Sequence, residues 1–70
     1  MNTVPSLTPK ELIKILRRNG FILDRTRGSH QLWIHFEFKK RVVIPMHNKS
    51  LPKGTFYSIL KLAGINKKDL

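Results

Sequence analysis

Cysteine is absent from this chain, which removes disulfides, thiolate metal sites and cysteine nucleophiles together. Acidic residues are scarce: 4 Asp and Glu stand against 14 Lys and Arg, for a formal net charge of +10. So few carboxylates, with no paired carboxylates and no two histidines sharing one face, leave nothing to hold a catalytic divalent ion, and no metal or other cofactor is expected. No apolar run approaches the length of a membrane span or a signal-peptide core, so the expectation is a cytoplasmic chain with no membrane partner. Internal repeats and low-complexity segments are missing as well. At 70 residues the chain supports a single domain (1–70) with one modest core, for which helices packed on a sheet are the natural solution.

The positive charge is what the sequence has in excess. Solubility does not require so one-sided a balance, and a polyanion is the expected partner. Within this basic chain Gly28-Ser29-His30 is a tight polar tripeptide that delivers an imidazole, the side chain able to exchange protons near neutral pH. The combination points to chemistry on nucleic acid.

Local patterning divides the chain clearly. Residues 1–7 read as a flexible arm. Thr8-Pro9-Lys10-Glu11 reads as a helix start, with Thr8 as N-cap, Pro9 in the first turn and Glu11 completing a capping box. Leu12, Ile13 and Leu16 mark an apolar face, and Asn19-Gly20 ends the helix. Three strands are expected: Phe21 to Thr26, Gln31 to Phe38 and Arg41 to Met46, with Lys39-Lys40 as the second hairpin connection. Alternation in the middle strand assigns Leu32, Ile34, Phe36 and Phe38 to the core and Gln31, Trp33, His35 and Glu37 to solvent. In the third strand Val42, Ile44 and Met46 are in phase, and Pro45, lacking a ladder donor, places that strand at a sheet edge. After a polar loop from His47 to Ser50, Leu51-Pro52-Lys53-Gly54-Thr55 opens a second helix. Its stripe is Phe56, Ile59, Leu60 and Ala63, and Gly64 closes it. Residues 66–70 form a charged tail. The expected architecture is α+β in the order α-β-β-β-α, a three-stranded antiparallel sheet with two helices packed on one face, the order of the double-stranded-RNA-binding fold.

Four pieces of sequence, in order and fittingly spaced, carry a more specific resemblance. Glu11-Leu12-Ile13-Lys14-Ile15-Leu16 with Asn19-Gly20-Phe21 resembles the opening of the HicA family of bacterial toxins. Arg27-Gly28-Ser29-His30 is similar to that family's Gly-Ser-His signature, and Val43-Ile44-Pro45-Met46-His47 to its Val-Pro-x-His segment. Leu51-Pro52-Lys53-Gly54-Thr55, with Ile59-Leu60-Lys61 and Ala63-Gly64-Ile65, resembles its closing helix. The resemblance covers Pro9 to Ile65. It implies an mRNA interferase of a type II toxin–antitoxin pair, a catalytic His30 and a HicB-type antitoxin. Two positions depart from the pattern: many relatives carry a second His where this chain has Gln31, and the second hairpin lacks their Asp-Gly turn.

Read without the family, the same residues suit metal-independent RNA cleavage. That chemistry needs a general base near neutral pH, cations beside the phosphate and a backbone that approaches closely. His30 is the candidate base or acid. Gly28 permits an unusual turn, Ser29 offers a hydroxyl or N–H to phosphate, and Arg25 and Arg27 are candidate phosphate clamps. Lys49, Lys53 and Thr55 flank the second helix's N-terminus, where free N–H groups favour an anion. His47 is a candidate second acid/base, and Trp33, assigned to the solvent face, a base-stacking platform or partner contact. Carried back from Leu32, the alternation puts His30 in phase with the apolar face. It is therefore expected at the strand's mouth, looking across the sheet rim toward a helix N-terminus. The alternative function is a non-catalytic RNA-binding module of the same fold, for which the basic residues and Trp33 suffice. A DNA-binding regulator is disfavoured because no helix-turn-helix spacing is present.

Overall fold

A computed structural model of the chain describes residues 8–46 and 50–66. The expected arm (1–7), His47, Lys49 and tail residues 67–70 lie outside the described residues. The elements follow the expected order: α1 (Pro9–Arg18), β1 (Ile22–Arg27), β2 (His30–His35), β3 (Lys40–Pro45) and α2 (Lys53–Leu62). The strands form an antiparallel sheet in the order β1-β2-β3, which leaves β3, with its Pro45, at an edge.

Capping chemistry explains why the helices start and stop where they do. The Thr8 hydroxyl accepts from the Glu11 backbone N–H at 3.1 Å, satisfying one of α1's unpaired donors. At the other end Gly20 turns left-handed (φ 89°) and the Phe21 N–H donates to the Leu16 carbonyl at 3.0 Å, closing a Schellman-type end. Gly64 (φ 76°) and the Ile65 N–H to Leu60 carbonyl bond at 2.9 Å repeat the device after α2. Gly20 is required twice over, because a Cβ there would come within 2.7 Å of His35 Nε2.

One core joins Leu12, Ile15 and Leu16 of α1, Phe56, Ile59 and Leu60 of α2, and Trp33, Val42 and Ile44 of the sheet. Both helices therefore cover the same sheet face, and among the described residues the other face is open. The middle strand corrects the expected phase. Trp33 is 2% exposed and His35 8%, while Leu32 and Ile34 are half-buried on the open face. Phe36 and Phe38 belong to no strand: β2 ends at His35, and a four-residue turn, 36–39, replaces the expected connection at Lys39-Lys40. Both phenylalanines are exposed.

Local polar partners make the inversion affordable. The Trp33 indole N–H donates to Gln31 Oε1 at 3.1 Å, from a side chain on the same face. The Arg17 guanidinium lies 5.3 Å from the Trp33 ring and caps it from α1. His35 Nδ1 accepts the Phe38 N–H at 3.2 Å, and its ring stacks on Phe38 (4.6 Å between centroids) and meets Phe21 edge-on. The polar residues that seemed to mark a solvent face are the partners that let this face be buried.

Candidate functional site

The first hairpin turns on two residues, Gly28 and Ser29, between the paired Arg27 and His30. Gly28 has φ 59° whereas Ser29 is outside the left-handed region, the sign pattern of a type II′ turn with glycine first. A side chain at Gly28 would meet nothing within 4 Å, so glycine is held there by backbone conformation, and the space outside it is open. The Ser29 carbonyl accepts from the Met46 N–H at 2.6 Å, which ties the hairpin tip to the end of β3.

An even-numbered turn fixes which residues share a face. Arg27 stands opposite His30 and Arg25 opposite Leu32, so both arginines join His30 on the open face. Directly opposed side chains have Cβ atoms roughly 5 Å apart. Continued unbroken, that register would send Leu23 to the open face too. A bulge at Asp24 shifts it, so that Leu23 faces Trp33 on the core side. On the other flank Val43 lies across from Leu32, Arg41 across from Ile34 and Pro45 across from His30.

These residues enclose a shallow cavity of about 310 Å³ lined by Arg25, Arg27, His30, Leu32, Arg41 and Val43. Its floor is aliphatic, its frame is three guanidinium groups, and an exposed imidazole stands at one end. Arg25 Nε also pairs with its neighbour Asp24 at 3.1 Å on the surface. His30 keeps the face its alternation with Leu32 gives it, but that face is the solvent side and not the rim facing a helix. Trp33, expected to present its ring to solvent here, is instead buried beneath the sheet and is unavailable for base stacking. Lys53 is exposed and Thr55 half-buried in the first turn of α2, and neither lines this cavity. Among the described residues no three His, Asp or Glu side chains gather closely enough to hold a metal ion.

Arg41 is the site residue that sequence reasoning missed. The signal was present: any hairpin with an even-numbered loop pairs residues of opposite parity, which puts Val42 across from Trp33 and Ile44 across from Gln31. Arg41 and Val43 then fall on the face of His30 and Leu32.

Over residues 9–65 the chain matches the family model of the HicA toxins of bacterial toxin–antitoxin systems. No curated protein matches it. The family match spans α1, the sheet with its Arg27–His30 turn, and α2, and so defines the toxin component of a toxin–antitoxin pair. The chain belongs to the HicA toxin family, which implies a cognate antitoxin as its partner. Among the described residues no helix is long and apolar enough to cross a membrane.

Proposed function

We propose that this toxin is a metal-independent endoribonuclease that cleaves mRNA with His30 as general acid/base, and that a HicB-type antitoxin inhibits it by covering the open sheet face. The observation that carries the proposal is the convergence of His30 with Arg25, Arg27 and Arg41 around one exposed depression. In the reaction His30 takes the proton from a ribose 2′-hydroxyl. The freed oxygen attacks the adjacent phosphorus, the bond from phosphorus to the 5′-oxygen breaks, and that oxygen takes a proton from water while His30 returns its own proton to solvent. The products are a 2′,3′-cyclic phosphate and a 5′-hydroxyl end. The guanidinium groups offset charge that builds on the phosphoryl oxygens, and Gly28 keeps side-chain bulk away from the strand. A basic face of this kind attracts an acidic inhibitor quickly through electrostatic steering and excludes RNA once covered.

The test is cleavage of single-stranded RNA in excess chelator, with end-group analysis, while antitoxin is titrated in. Persistent cleavage to 5′-hydroxyl ends, suppressed in proportion to antitoxin, is expected. Activity lost in chelator and restored by magnesium would refute the mechanism. Cleavage that persists in a saturated complex would refute the competitive mode of inhibition.

The arginine frame makes a separate prediction. Three neutralised phosphates give a log–log salt slope of about −2 for single-stranded RNA. Arg41→Glu should flatten that slope and weaken binding for all RNA sequences alike, measured by fluorescence anisotropy at several salt concentrations. An unchanged slope would remove Arg41 from the RNA contact.

A further inference from the structure

The second hairpin turn holds a feature that cleavage at His30 does not use. Phe36, at its first position, is 72% exposed, although it immediately follows the buried His35. It stands two positions after Ile34, which lies on the open face. With Ile34, Lys39, Lys40 and Arg41 it lines a second depression, of about 380 Å³. Arg41 lines both depressions, so they adjoin along the sheet. Phe38, in the same turn, differs: it stacks on His35 and lines the cleft with Phe21 and Gly64.

We infer that Phe36 is a stacking platform for an unpaired base of single-stranded RNA, in a subsite a few nucleotides along the strand from the one cut at His30. The inference rests on the ribonuclease proposal and specifies how its substrate is held. From His30 to Ile34 the strand rises about 13 Å, so the phosphodiester chain passes over Leu32 and Val43 beside Arg41 before reaching the turn. An exposed aromatic ring bordered by cations is the arrangement that holds splayed bases, because every base offers a π-face and every linkage a negative charge. Continuity with the His30 depression and the cationic border of Lys39 and Arg41 favour RNA as occupant over a protein segment.

The experiment uses the His30→Ala chain, so that RNA is bound and not cut, and compares a trinucleotide with a ten-nucleotide single strand. The longer RNA should bind more tightly, and adding Phe36→Ala should reduce its affinity by roughly 5- to 150-fold, the range for loss of one stacked base. Phe36→Trp should retain tight binding, and RNA should quench its emission against the constant background of buried Trp33. Indifference of the longer RNA to Phe36→Ala, in a chain whose parent cuts RNA, overturns the subsite and leaves the ribonuclease proposal standing. Unchanged RNA affinity with weakened antitoxin binding assigns the turn to the protein partner and also overturns it. If the parent chain neither binds nor cuts RNA, both readings fall.

Discussion

His30→Ala is expected to reduce RNA cleavage by roughly 10²–10⁴-fold, the span of a single general acid/base, and to abolish growth inhibition when the chain is induced without its antitoxin. No other described histidine can substitute. His35 is buried on the opposite face of the sheet, and its Nδ1 already accepts the Phe38 N–H. Gln31, the next residue, has its side chain committed to Trp33. Because His30 is exposed at a strand end, its loss opens no cavity, and the variant should keep its circular dichroism spectrum, melting temperature and RNA affinity. Cleavage by the purified variant near the parental rate would remove His30 from the chemistry.

Trp33→Ala should act on stability and not on RNA contact. Truncating a buried tryptophan costs about 3–5 kcal/mol, because the lost transfer energy adds to that of the cavity left behind. A domain of this size has a total stability of only about 4–10 kcal/mol. The change also strands Gln31 and removes the ring beneath Arg17. A fall in melting temperature of more than about 12 °C follows, measurable by calorimetry. The same substitution distinguishes a core tryptophan from a stacking surface. A variant of parental stability with weakened RNA binding would contradict the burial described above.

The parts of the fold legible in the sequence are those set by local chemistry. Thr8-Pro9 and Gly20 bound α1 because capping depends on a few adjacent residues, and Gly28-Ser29 marks its turn for the same reason. The apolar stripe of α2 was equally plain, since a helix facing one sheet buries one side. The phase of β2 was obscured because the strand is apolar on both faces. Leu32 and Ile34 form a half-covered floor, and Phe36 and Phe38, which lie beyond the strand, argued for the wrong side. Pairing with Val42 and Ile44 is non-local information, visible only once the hairpin is closed. At the site His30, Arg25 and Arg27 were found from one contiguous segment, whereas Arg41 needed the neighbouring strand.

Among the described residues the open sheet has two free edges, and each disrupts the addition of further strands. On β1 the bulge at Asp24 breaks the ladder beside Arg25 and Arg27; on β3 Pro45 withholds a donor and Lys40 and Arg41 bring charge. Edges blunted in this way resist templating by a second chain. The consequence is colloidal: concentrated toxin should stay dispersed and not grow into fibrils, despite an exposed aliphatic floor only three strands wide.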